Sequence, residues 1–323
     1  MLQGSSISTQ ELISLRAKAH ALRLPTHRSE LLAGGDLSTI LGQGMEYAES
    51  RKYAEGDDAR TIDWRVTART GTAHTKVFLE DRKRTVHLIV DMRQSMRFGT
   101  RLAFKSVVAA ETASVLAWAA HYSGDLVSVM AMTHQGVSVI RPAASVGGVV
   151  QQLRMLSSMS QGAVDELNQK PQLKLSAAVK RIRAGDLTVA VSDFADLPSD
   201  SIKAMEFLGR RFMIACWVMD RTEITALPYG NYPITDASSF SRIQLSSAAQ
   251  VKTMQNMLDE RRARIENTLK RIGASVVELR PGDDVIRVLY KTFHRGARRK
   301  RYSVMNTRSV SGIRRKSQIA ADA

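Results

Sequence analysis

Cysteine is almost absent from this chain. The single residue, Cys216, lies in the apolar run Phe212-Met213-Ile214-Ala215-Cys216-Trp217-Val218-Met219, so no intramolecular disulfide can form and the thiol reads as a buried core group rather than a nucleophile. That usage fits a reducing compartment. Long hydrophobic runs are missing too: residues 1–28 have no apolar core of signal-peptide type, and the longest apolar helical stretch, Leu102 to Ala120, is broken by Lys105 and Glu111. The expectation is a cytoplasmic chain without a membrane span. Gly42-Gln43-Gly44 lacks the further glycine and the lysine of a phosphate cradle. The seven histidines show neither the paired helical spacing nor the cysteine partner that zinc takes, and no Gly-x-Ser-x-Gly elbow occurs. His87, inside an apolar run, reads as a satisfied core residue. Together these absences predict a protein that is not an enzyme and holds no cofactor.

Positive charge is what the chain has in excess. Lysine and arginine number 47 against 31 acidic residues, a formal charge of +16, which favours an acidic partner: nucleic acid, an anionic membrane face or an acidic protein. About half of that excess lies after His294, where Arg295, Arg298, Arg299, Lys300, Arg301, Arg308, Arg314, Arg315 and Lys316 face only Asp322. Residues 294–323 therefore read as a disordered basic tail that either serves solubility or binds an acidic surface. Its one aromatic, Tyr302, gives little support to base stacking. At 323 residues and 44% hydrophobic, the chain suits one principal domain with appendages.

Thr85 to Ser95 is the stretch around which that domain is organised. Val86-His87-Leu88-Ile89-Val90 reads as a buried central strand that delivers Asp91 and Ser95 to its carboxyl end, the edge where open α/β sheets bind ligands. Further strands are expected at Leu126–Met132, Gly136–Ile140 (an edge strand), Leu187–Val191, Phe212–Met219 and Ser275–Leu279. Helices are expected at Arg101–His121, Val146–Met159, Leu175–Ile182, Pro198–Arg211, Ala248–Ile272 and Asp284–Phe293. Thr222 to Leu245 reads as a meandering insertion near the sheet edge. This alternation predicts an α/β fold with a doubly wound, mostly parallel sheet in residues 83–293. Residues 1–44 are expected to hold a peripheral helix from Thr9 to about Leu22 and then a loop.

Residues 45–82 form an N-terminal β-rich extension dense in motif: Arg51, Tyr53, Gly56, Asp57, Arg60, Ile62, Asp63, Trp64, Ala68 and Arg69 stand at fixed spacing. A strand should end at Tyr53, Gly56-Asp57 should turn, and Ile62 and Trp64 should anchor the segment, with Trp64 buried against the sheet. The interleaved arginines and carboxylates read as an ion-pair network, or as a partner-binding face. Those positions, with Asp91, Ser95 and Met96, resemble the signature of domain-of-unknown-function family 58 (DUF58).

Asp91 with Ser95 also resembles the opening of a von Willebrand factor A-like domain, whose metal site takes Asp-x-Ser-x-Ser, a threonine and a further aspartate. The resemblance places Asp193 at the last position and the threonine near Leu173, where none occurs; Arg93 stands for the first serine. Asp91, Ser95 and Asp193 then make a degenerate site with too few oxygens for Mg²⁺. Arg93 can either bridge Asp91 and Asp193 in place of the ion or point toward a partner's carboxylate. The resemblance implies a protein-interaction adaptor working with a MoxR-type AAA+ ATPase in the assembly or activation of other complexes, with Asp91, Arg93, Ser95 and Asp193 as the partner-binding residues. Nucleic-acid binding through the tail and the basic face of Ala248–Ile272 is the alternative reading. A metal-dependent hydrolase is the third.

Overall fold

The computed structural model describes residues 4–26, 46–54, 62–79, 83–161, 173–235 and 240–294. The tail beyond His294, most of the loop after Leu24, and Gly56, Asp57 and Arg60 of the signature lie outside the described residues. In chain order the elements are α1 (Thr9–Ser14), α2 (Arg16–Ala19), β1 (Glu46–Lys52), α3 (Trp64–Thr70), β2 (His74–Leu79), β3 (Thr85–Asp91), α4 (Lys105–Tyr122), β4 (Leu126–Met132), β5 (Val137–Val139), α5 (Val146–Ser160), α6 (Leu175–Val179), β6 (Leu187–Ser192), α7 (Ser199–Gly209), β7 (Met213–Val218), β8 (Gly230–Thr235), β9 (Phe240–Leu245), α8 (Ala248–Ile272), β10 (Ser275–Leu279) and α9 (Val285–Phe293). Two compact units separate: Leu37–Lys83 forms one, and Met1–Asp36 with Arg84–Ala323 the other.

The larger unit is a mixed α/β structure on a six-stranded sheet of order β10-β7-β6-β3-β4-β5, parallel throughout except for β5, which pairs antiparallel with β4. Period-two alternation along a strand gives β3 two cores: Val86, Leu88 and Val90 face one cluster, Ile89 the other. The first cluster is covered by α4, α5, α9 and the N-terminal helices; the second by α6, α7 and the end of α8. Helix α4 is buried on nearly every side, which explains a sequence apolar all round rather than striped. On its outer side lies the N-terminal segment, where the Leu12 carbonyl accepts from Ser114 Oγ (2.7 Å) and the Trp118 indole (3.2 Å). The single helix expected from Thr9 is two short ones, divided at Leu15. The insertion expected between Thr222 and Leu245 contains a two-stranded hairpin, β8–β9. Among the described residues no helix is long and apolar enough to cross a membrane.

The smaller unit pairs β1 with β2 antiparallel, with a short helix between them. Asp63 caps that helix, its Oδ1 accepting from the backbone N–H of Arg65 (3.1 Å) and Val66 (3.2 Å), and Gly71 ends it with φ +70°. This overturns the expected burial of Trp64. It is the first residue of α3 rather than a strand anchor, and 69% of it is exposed. Tyr53 and Arg69 are exposed as well, whereas Asp63 is buried.

Candidate functional site

Parallel register sets the site. Val90 of β3 stands beside Val191 of β6, so the two strands end together and carry Asp91 and Ser192 to neighbouring positions on the carboxyl edge. Asp91, fully buried, accepts from Ser192 Oγ on Oδ2 at 2.6 Å. Arg93 curls back two residues and donates from Nε to Oδ1 (3.0 Å) and from Nη2 to Oδ2 (2.7 Å), while its own backbone N–H reaches Oδ1 at 3.0 Å. The same Nη2 stands 3.7 Å from Asp193 Oδ1. The guanidinium therefore bridges two carboxylates that would otherwise repel, with the planar fork suited to the task. Burial works against its charge most strongly, yet the bonds to Asp91 and the attraction of Asp91, Asp193 and Asp196 outweigh it and raise its pKa.

Arg93 also fixes the loop that follows β6. It donates to the carbonyls of Ala195 and Asp196, each at 3.0 Å. That loop turns through left-handed backbone at Phe194 (φ +52°) and Asp196 (φ +45°), conformations that cost of order 1–3 kcal/mol each in non-glycine residues. Phe194 N–H donates to Ser192 Oγ (2.8 Å) and Ala195 N–H to Asp193 Oδ1 (3.1 Å), which pin the turn from inside.

A second cation completes the cluster, and sequence reading missed it. Lys105, the first residue of α4 and 1% exposed, donates from Nζ to Asp193 Oδ2 (2.9 Å) and Glu223 Oε1 (2.7 Å). In the sequence it figured only as an interruption of an apolar helix. A lysine opening a largely apolar helix was the available signal, since such an amine is buried only when carboxylates meet it. Glu223 in turn accepts from the Asp220 N–H (2.9 Å) and lies 3.7 Å from Arg261 of α8. Asp220 accepts from Thr100 Oγ1 (2.8 Å) and the Thr100 N–H (3.1 Å). Burial opposes its ionisation, but the bonds from Thr222 and Thr100 prevail and hold its pKa below the usual carboxylate value.

The structure thus brings Asp91, Arg93 and Asp193 together and adds Ser192 and Lys105. Ser95 takes no part in these bonds: it lies in the short 3₁₀ turn Gln94–Met96, and its buried Oγ makes no hydrogen bond. Leu173 is also misplaced as the position of a missing ligand. Its backbone pairs with Val137, which pairs with Met132, which pairs with Asp91, so three strand spacings of about 4.8 Å put it roughly 14 Å from Asp91. A divalent ion does not fit this donor set. Both Asp91 oxygens and both Asp193 oxygens already accept hydrogen bonds, and two fixed positive charges stand where a cation would have to sit. Away from the cluster, His87 bonds Asp186 through Nε2 at 3.1 Å. Burial raises the Asp186 pKa most, yet the bonds from His87, Arg183 N–H and Thr85 N–H bring it below the ordinary value. Cys216 is fully covered, and burial pushes its thiol up to about 12, which makes it inert.

Fold and edge together define an α/β protein with a mostly parallel six-stranded sheet and an internally neutralised carboxylate cluster at its carboxyl edge. The chain belongs to the family described as "Protein of unknown function DUF58", whose model matches residues 49–264. Uncharacterized proteins of Mycobacterium bovis and Mycobacterium tuberculosis are each 28% identical over 258 residues, 79% of this chain and 80% of theirs. Among solved structures, the conserved hypothetical protein BatB from Bacteroides thetaiotaomicron is 10% identical, spanning 67% of this chain and 99% of its own, with a TM-score of 0.38. An aerotolerance-related membrane protein from Bacteroides fragilis gives 12%, 64%, 94% and 0.34. Scores at that level carry no structural argument.

Proposed function

We propose that this protein is a non-catalytic interaction module of the von Willebrand factor A-like kind, an adaptor working with a MoxR-type AAA+ ATPase, in which a built-in arginine replaces the metal ion. The observation that supports this most is the seat of Arg93. Its guanidinium closes the space between Asp91 and Asp193 and stitches the strand-end loop to the sheet. An edge arranged in this way offers a rigid, pre-shaped surface rather than reactive groups. Asp91 and Asp193 are buried, so in this reading they act by holding the edge in shape, and the loops around them make the contact.

The test is capture of a purified MoxR-type ATPase by the immobilised full chain at low and moderate salt, with Asp91→Ala alongside. The adaptor reading expects wild-type capture that persists at moderate salt and is lost in Asp91→Ala. Capture of nucleic acid alone, falling steeply as salt rises, would favour the alternative in which the basic tail is the binding element. Capture of the ATPase untouched by Asp91→Ala would remove the carboxyl edge from the account.

A further inference from the structure

We infer that residues 97–104 form a preorganised docking loop whose partner is an acidic protein segment carrying apolar anchors; the inference rests on the adaptor reading and names the surface and partner chemistry it would use. The loop is tied at every turn. Lys105 N–H donates to the Phe98 carbonyl (2.8 Å), Gly4 exchanges bonds with the Leu102 carbonyl (2.8 Å) and the Phe104 N–H (3.0 Å), and Thr100 is held by Asp220. Arg97 donates to the Met159 carbonyl at the end of α5 (3.2 Å). Gly99 permits the tight path, because a Cβ there would run into the Ala103 carbonyl. An ordinary surface loop has no need of so many restraints, and restraint in advance is what lowers the entropic cost of binding.

What this loop turns outward is apolar and positive. Phe98 is 39% and Leu102 42% exposed. The bonds between Thr100 and Asp220 bring Arg101 and Arg221 to one stretch of the edge, both exposed, and neither forms an ion pair among the described residues. The acids close to them are turned inward: Asp220 is spent on Thr100 and Thr222, and Glu223 on Lys105. Asp196, the exposed acid of this edge, belongs to the loop beside Arg93. Uncompensated arginines flanking two half-covered apolar side chains fit a segment with carboxylates beside aromatic or aliphatic anchors. They suit a membrane less well, since two pinned and partly covered side chains insert little area into lipid.

A displayed library of random short peptides panned on the full chain provides the probe, and the enriched peptides are then titrated by fluorescence anisotropy. Enriched sequences should combine Asp or Glu with Phe, Leu or Trp. Phe98→Ser with Leu102→Ser, and separately Arg101→Glu with Arg221→Glu, should each weaken them about tenfold or more while the far-UV circular dichroism and cooperative unfolding of the wild type are retained. Basic or purely polar consensus peptides, or binding indifferent to both variants, would overturn the inference, the second outcome pointing to the tail. Sedimentation with anionic phosphatidylserine vesicles that is lost in Phe98→Ser with Leu102→Ser, with no peptide enriched, would overturn it in favour of a lipid surface. The same variants in the ATPase capture separate the two claims: capture lost with Asp91→Ala but intact in the loop variants sinks the loop and spares the adaptor.

Discussion

Two tryptophans show how differently the two units of this chain use the same residue. Trp118, in the C-terminal half of α4, is fully buried and gives its indole N–H to the Leu12 carbonyl. Trp64, in the stretch richest in motif, leaves 69% of its surface in water. Motif density and burial therefore part company: among the described signature residues Tyr53, Trp64, Ala68 and Arg69 are exposed and Asp63 is buried, whereas the sheet unit is a core with few sequence landmarks. A residue that serves by packing should be hidden, and Trp64 is not, so this ring does not anchor the segment by burial.

The sharpest way to break the contrast is at the buried cluster. Arg93→Ala removes the partner of a fully buried Asp91 and releases the Ala195 and Asp196 carbonyls, so denaturant unfolding should show a loss of about 3–5 kcal/mol. Lys105→Met should be of similar size, because Asp193 and Glu223 lose their shared amine; adding Asp193→Asn should restore part of the loss. Recovery absent from the double variant would mean the lysine acts through packing alone. Trp118→Ala should cost about 3–5 kcal/mol, chiefly through its cavity, since the Leu12 carbonyl keeps its bond from Ser114 Oγ.

Acid should act on a smaller scale. Asp186 and Asp220 have folded pKa values below the unfolded one, so the stability they contribute is complete above the unfolded carboxylate value of about 4 and is lost as pH falls below it through the depressed folded values. Thermal midpoints of Asp186→Asn should accordingly separate from those of the wild type at neutral pH and draw together as pH falls below about 4. Curves parallel over that range would remove Asp186 from the acid response. The smallest effect belongs to Trp64→Ala, expected within about 0.5 kcal/mol of the wild type. A loss of several kcal/mol there would erase the contrast between the units.

The sheet was legible because its strands are short apolar runs bounded by polar turns: Leu126–Met132 and Ser275–Leu279 appear at their expected limits, as does the charged helix Ala248–Ile272, of which Leu269 and Ile272 alone are buried. Arg93 was legible as a cation between two acids at the strand ends, although the sequence left open whether it folds inward or points outward. Lys105 and Ser192 were not, since their importance comes from elements distant in sequence meeting at one edge. Trp64 was misread because an aromatic among alternating charges suggests an anchor, while the capping Asp63 before it and Gly71 after it mark the ends of a short helix. Leu173 failed for a related reason: its pairing with Val137 at the sheet edge leaves no trace in local spacing.

The central claim is that Arg93 is the cation of this site. Isothermal calorimetry of the full chain with millimolar Mg²⁺ and Mn²⁺ tests it most directly. The account predicts no specific heat from the wild type, because Asp91 and Asp193 are already bonded and neutralised by Arg93 and Lys105. Saturable binding by the unmodified chain that disappears in Asp91→Asn would contradict it.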